Sequence, residues 1–387
     1  MHHPVGIRSL AVSFPSIIRT NDYYRENYPE LVAQAEQETL AKVLSSPTES
    51  TPNSREFDLE MSTYLSDPFR GTVERRVLGP GESSLTLEYR AACDALDAAK
   101  LSPEDVDLML VASMLPEQIG IGNAPFLARQ LGLRCAAWNL ESMQSSALVA
   151  LQTTCAMVRA GEYRNVLVVI SCTFSRSADE DDTLSWILGD GAGAFVVGSL
   201  KANQGILGSK IVHTTATCGA YSYELTKDVQ GNPQLRLQVG KNMNKLIRET
   251  SVVFLHTCCQ GAAAQAGVTL NQIDFFVFST PLAWFASFCT RALGIDPERT
   301  INLYPQYANI GSALPVANLY CAAQSGRIGE NNLVLVFSIG ASSTAGATVM
   351  RWSNVALGPV PFPLRARSSV NSEKLEVPMT RYPLFAK

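Results

Sequence analysis

A chain of 387 residues with 46% hydrophobic and 17% charged content can bury a large core, in two domains or one duplicated one. A formal net charge of −4 argues against nucleic acid or an anionic membrane surface as the main partner. Nine cysteines at irregular spacing do not read as a disulfide framework, and neither a secretory leader nor an apolar run of about 18 residues is evident, so a soluble, cytoplasmic protein is expected.

In chain order, Gly6 to Ser13 alternates like a short strand. Residues from about 23 to 70 read as an insertion: a helix-compatible stretch from Glu30 to Val43, then the breaker-rich Ser45 to Pro52, expected as an exposed loop. Ser83 or Ser84 is placed to cap a helix running to Lys100, with Leu87, Ala91, Ala95 and Ala98 as its buried stripe. From Trp138 to Leu151 an extended start breaks at a Ser-flanked turn into helical spacing, which lifts one side chain, Gln144, above a helix N-terminus. Ser142, Ser145 and Ser146 flank that turn as candidate caps.

A long internal repeat organises the chain. Leu101 to Asp107 leads into the apolar run Leu108 to Ala112, and Leu270 to Asp274 leads into Phe275 to Phe278. Asp274 stands 167 positions after Asp107, and Asn332, opening a second strand-like run, stands 167 after Asn165. Two matches at one offset argue for duplication, with halves at about 1–200 and 205–352, each layering helices on a mostly parallel sheet. A proline-rich extended tail follows over 353–387.

Gly189-Asp190-Gly191-Ala192-Gly193-Ala194 and Ala308-Asn309-Ile310-Gly311-Ser312-Ala313 resemble two hallmark blocks of the thiolase superfamily, in its β-ketoacyl-ACP synthase III branch. The resemblance covers about 5–35 and 70–352 and implies a duplicated, five-layered αβαβα thiolase fold. It also implies a dimer, homomeric or formed with a Cys-containing ketosynthase, whose loop Met114 to Gly122 reaches the neighbouring pocket. Its substrate would be a thioester on CoA or on the phosphopantetheine of an acyl carrier protein, with no bound cofactor or metal. The family works with Cys, His and Asn; laid on this chain, those slots hold Gln144, Ser279 and Asn309. The family's oxyanion-forming glycine run becomes Gly340-Ala341-Ser342-Ser343-Thr344, and Gly189, Gly191 and Gly193 form the other glycine loop. Arg75, in a block similar to the family's Arg-Glu-Arg-His, is a candidate contact for a phosphopantetheine donor, with a solvated surface arginine as the alternative.

An amide neither ionises nor attacks a thioester, so Gln144 cannot carry an acyl-enzyme. In ketosynthase-like relatives, Gln at this slot marks either decarboxylating loading domains or non-condensing partner subunits. The first use keeps the histidine, so Ser279 favours the second. Direct, non-covalent acyl transfer and a non-enzymatic scaffold are the further alternatives. Cys135, Cys155, Cys172 and the Cys258-Cys259 pair near His256 read as core, and His213 as structural.

Overall fold

The computed structural model describes residues 4–45, 51–227, 231, 233–340 and 343–361. The first half runs β1 (Val5–Ser13), β2 (Ile17–Thr20), α1 (Asn21–Asn27), α2 (Pro29–Ser45), α3 (Arg55–Ser62), β3 (Glu74–Val77), α4 (Ser84–Ala99), β4 (Leu108–Met114), α5 (Ala124–Leu131), β5 (Ala136–Asn139), α6 (Ser146–Arg159), β6 (Val166–Thr173) and β7 (Asp190–Ser199). The second runs β8 (Gly205–His213), β9 (Tyr221–Lys227), β10 (Pro233–Val239), α7 (Met243–Gln265), β11 (Phe275–Phe278), α8 (Phe285–Leu293), α9 (Tyr304–Tyr307), α10 (Leu314–Gln324), β12 (Leu333–Ile339) and β13 (Thr344–Arg351), with β14 (Ala356–Leu357) after it.

The duplication is visible in the sheets. One has the order β14-β1-β7-β6-β4-β5 and the other β11-β12-β13-β8, so β8-β13-β12-β11 repeats β1-β7-β6-β4. In both, the first pair of repeat strands (β4 with β6, β11 with β12) is parallel and the next two pairings are antiparallel, so each sheet is mixed. The repeated aspartates do the same work in each half. Asp107 accepts from the N–H groups of Arg164 and Asn165 at 2.9 Å, and Asp274 accepts from Leu333 at 2.7 Å, each pinning the start of the neighbouring strand.

Five layers result. Helices α4 and α5 cover the outer face of the first sheet, α6 and α10 fill the space between sheets, and α7 and α8 cover the outer face of the second. Strands β4 and β6 are buried along their whole length, which is why their sequences are continuously apolar rather than alternating. Helix α4 begins at a Ser83–Thr86 capping box and ends with Lys100 left-handed, as its spacing predicts. Its buried face also contains Glu88, which the apolar stripe did not reveal.

The insertion forms α1 to α3 and packs on both halves. Phe57 of α3 meets Phe288 edge-on at 5.3 Å, and Asp58 takes a two-pronged pair from Arg248 at 2.5 and 2.7 Å. Tyr24, Val32 and Phe69 enclose Trp186 in the segment joining β6 to β7. Most of the loop expected at Ser45 to Pro52 lies outside the described residues. The extended tail begins docked on the core. Its β14 pairs parallel to β1, and Tyr320 Oη donates to the carbonyls of Gly358 and Pro359 at 2.9 Å; residues 362–387 lie outside the described set.

Candidate active site

Between β5 and α6 the chain passes through one 3-10 turn (Met143–Ser145), with Met143 left-handed at φ 53°. Such a conformation costs a non-glycine residue on the order of 1–3 kcal/mol and persists where its surroundings hold it. Here the ends of β12 and β13 do so. Ser142 Oγ lies 2.9 Å from Ser343 Oγ and 2.7 Å from Thr344 Oγ1, and Ser145 Oγ donates to the Thr344 carbonyl at 2.7 Å. Ser338 Oγ donates to the Gln144 carbonyl at 2.9 Å. The serines therefore do not cap α6 as expected; Ser142 and Ser145 bolt the elbow of one half to the strand ends of the other, and Ser146 donates to the Met143 carbonyl within the turn. Glu141 adds a bond from the Met143 N–H at 2.5 Å; burial raises its carboxyl above the usual range, and that bond opposes the rise.

Gly340 packs against this turn: a Cβ there would lie 2.9 Å from the Ser142 carbonyl oxygen. Its own N–H donates to Thr344 at 2.8 Å, so it is not an oxyanion donor. Ala341 and Ser342 lie outside the described residues.

The Asn309 block approaches from the other side. Its main chain bonds both ways to the segment before β7, N–H to Ile187 and carbonyl from Gly189, each at 3.0 Å. Its Oδ1 accepts from the Gly311 N–H at 2.9 Å, so the end it presents to a ligand is the NH2. Ala308 sits at φ 56°, ψ −156°, glycine territory, to make this approach. The first glycine loop serves the same packing. A Cβ on Gly189 would fall 2.2 Å from the Tyr307 carbonyl, one on Gly193 2.4 Å from Val316, and one on Gly191 3.1 Å from Ile310. Gly191 and Gly193 lie in a strand paired on both sides, and Gly189 donates to Asn309, so this glycine loop serves close backbone packing.

Gln144 and Asn309 both line one cavity of about 120 Å³. Its walls are apolar and aromatic: Phe174, Leu184, Ile187 and Leu188 from the first half, and Ile247, Leu282 and Phe285 from the second. The hairpin β9–β10 closes it with Tyr221, Tyr223, Leu237 and Val239, and Arg236 pairs with Asp179 across the halves. Sequence reading missed this hairpin, though the alternating apolar positions on both sides of Gly231 are a strand-pair signal.

Ser279 does not join them. It is fully buried at the end of β11, its N–H bonded to Phe337, its hydroxyl unpartnered among the described residues, and it is not part of the cavity wall. Arg75 also departs from expectation. Rather than facing a donor or solvent it is fully buried, donating to the carbonyls of Trp186 and Arg19 and to Asn21 Oδ1 at 2.7–3.0 Å, where it ties β3 to the insertion. Four of the cysteines read as core are buried: burial pushes the Cys155 and Cys258 thiols up to about 12 and holds Cys172 and Cys259 well above the ordinary range, whereas Cys135 is only half-buried. No cluster of three metal-ligating side chains occurs among the described residues.

Residues 139–215 match the family described as 3-oxoacyl-[acyl-carrier-protein] synthase III, and 263–352 match its C-terminal counterpart. A β-ketoacyl-[acyl-carrier-protein] synthase III of Rhizorhabdus wittichii is 32% identical over 286 residues, covering 73% of this chain and 88% of the relative. This chain belongs to the β-ketoacyl-[acyl-carrier-protein] synthase III family. A second member, from Desulfitobacterium hafniense, is 29% identical over 77% of the chain and 93% of its own length. Among solved structures, the Thermus thermophilus synthase III superposes with a TM-score of 0.72 at 24% identity, over 90% of this chain and all of that one. The priming β-ketosynthase of the R1128 polyketide pathway gives 0.73 at 19% over 91% and 97%. These two likenesses establish the thiolase-type fold, which the layered sheets already displayed. No helix among the described residues is long and apolar enough to cross a membrane.

Proposed function

We propose that this synthase III family member binds an acyl thioester, carried on CoA or on an acyl carrier protein, without forming an acyl-enzyme, as a non-condensing partner in fatty-acid or polyketide-type biosynthesis. One observation carries the reading: the elbow presents a carboxamide, Gln144, to an apolar cavity that Asn309 shares, and no thiol or imidazole lines that cavity among the described residues. Two amides can orient a thioester carbonyl by hydrogen bonds, but neither accepts the acyl group.

The partner is argued from one edge of the molecule. Strand β5 ends the first sheet with an open edge, Trp138 on it is 37% exposed, and the adjoining loop carries Ile119 and Ile121 at 69% and 63% exposure. A second thiolase-type subunit, identical or a Cys-containing ketosynthase, fits this edge and receives the loop. Co-purification with such a ketosynthase, and an unchanged intact mass of this chain after incubation with octanoyl-CoA, are the expected results. A stable adduct on the peptide around Gln144 sinks the proposal.

A second reading has its own support. The cavity has the Asn309 NH2 at the elbow, an arrangement that also suits direct transfer of an acyl group to a hydroxyl or amine acceptor. Ester or amide product from acyl-ACP plus acceptor would select it. Release of CO2 from malonyl-ACP would select decarboxylation instead, and failure of acyl-CoA to bind would leave a scaffold.

A further inference from the structure

The polar atoms along the cavity fall into two groups. Thr217, Thr250 and Ser251 reach its wall, but their hydroxyls donate to the carbonyls of Thr214, Leu246 and Ile247 at 2.6–2.7 Å, so they show the cavity carbon. Tyr223 is different. Its phenol oxygen is buried without a hydrogen-bond partner among the described residues, in a wall that is largely apolar apart from Tyr221 and the amides of Gln144 and Asn309. Buried hydroxyls are normally paired, and an unpaired one beside a binding cavity is a group kept for a ligand. Burial raises this phenol well above its ordinary range, so it stays protonated and acts as a donor.

Tyr223 also sits at the elbow end. It packs in one cluster with Met143, Cys172, Phe174 and Leu188. Cys172 lies against the Asn309 turn, since a Cβ on Gly311 would come 2.6 Å from its sulfur, and Gly311 holds the Asn309 side chain. Three polar groups thus flank this end of the cavity: the Asn309 NH2, the Gln144 amide and the Tyr223 hydroxyl. A plain alkanoyl thioester has one carbonyl oxygen to offer them. The Asn309 NH2 satisfies it, leaving the Tyr223 O–H and the Gln144 carbonyl facing methylene groups. A hydroxyl one or two carbons beyond the thioester accepts from Tyr223 and donates to Gln144 Oε1, and so matches all three; a keto oxygen can only accept.

We propose that Tyr223 is a substrate-recognising donor and that the cavity selects 3-hydroxyacyl thioesters over unsubstituted ones. This rests on the acyl-thioester reading above.

The test is calorimetric titration of the full chain with octanoyl-CoA, 3-oxooctanoyl-CoA and 3-hydroxyoctanoyl-CoA, on the natural protein, Tyr223→Phe and the control Tyr89→Phe, an exposed tyrosine of α4 away from the cavity. The natural protein and the control are expected to favour the 3-hydroxy ligand about tenfold over octanoyl-CoA, with the 3-oxo ligand between them. Tyr223→Phe is expected to bring that ratio to within about twofold while leaving octanoyl-CoA affinity in place, which also reports an intact fold. Equal affinity for the ligands in the natural protein, or a preference that survives Tyr223→Phe, overturns the inference and leaves the acyl-thioester reading standing. If none of the three binds, the acyl-thioester reading itself fails and this inference goes with it.

Discussion

Glu88 is a fully buried carboxylate on α4, and replacing it with glutamine is the sharpest probe of how the exposed loop between β4 and α5 is held. Its Oε1 accepts from Ser113 and Ser171 at 2.5 Å, and its two oxygens accept from Asn123 Nδ2 at 3.0 and 2.9 Å. Asn123 in turn accepts the N–H groups of Glu117 and Gln118 on its Oδ1, which anchors the loop carrying Ile119 and Ile121. Burial lifts the carboxyl from 4.5 to about 7 against the pull of those bonds, with Glu117 adding to the rise. Between these values the folded state holds a proton that the unfolded state has lost. Stability from this group is therefore complete below about pH 4.5 and falls away as pH climbs to 7. A shift of 2.5 units is worth about 3 kcal/mol. Glu88→Gln abolishes the titration and adds a pH-independent offset, because its NH2 faces that of Asn123. Denaturant unfolding of both proteins at pH 5 and pH 8.5 should show the variant gaining about 2.5 kcal/mol on the natural chain between the two conditions, since part of the stabilisation is already lost at pH 5. Parallel pH dependences would mean that Glu88 is not a buried, proton-holding anchor.

Gln144→Cys restores a thiol above the helix N-terminus, and octanoyl-CoA should then raise the intact mass by one acyl group where the natural chain shows no change. Arg75→Met strips donors from two carbonyls and from Asn21; it should lower unfolding stability by about 3–5 kcal/mol in denaturant titration while octanoyl-CoA affinity is unchanged. Ile121→Asp sets a charge on the exposed loop and should weaken self- or hetero-association at least about tenfold by sedimentation, leaving the thermal midpoint of the isolated chain in place.

The duplicated architecture was legible because it is written in features that pattern reading handles well. The two Asp-to-strand joints recur at one offset, buried strands are continuously apolar, and α4 announces its start with Ser83. What escaped were interactions between segments distant in sequence. Glu88 occupies a core position of an otherwise apolar stripe, and only the serines of β4 and β6 and Asn123, brought beneath it by the fold, make that tolerable. Arg75 read as a surface cation because its acceptors are carbonyls, which leave no mark in a sequence. The glycine loop was legible as glycine-rich, but its reason, room for Tyr307, Ile310 and Val316, comes from the other half.

The site shows the same division more sharply. Position by position, resemblance places Gln144, Ser279 and Asn309 together, and the fold keeps two of them on the cavity wall. Pro281 and Leu282 line the cavity, whereas Ser279 is not on its wall and its hydroxyl is buried without a partner among the described residues. The hairpin β9–β10, which the family motifs do not mark, instead brings Tyr223 to the elbow from the opposite direction. Loss of an imidazole on one wall and arrival of a buried phenol on another are different chemistry: the phenol stays protonated and can only hold an oxygen, not shuttle a proton near neutrality. On the function proposed above, a cavity furnished with an amide, a second amide and a phenol would recognise an oxygenated acyl group, and neither an amide nor a protonated phenol supplies the nucleophile that a covalent acyl-enzyme requires.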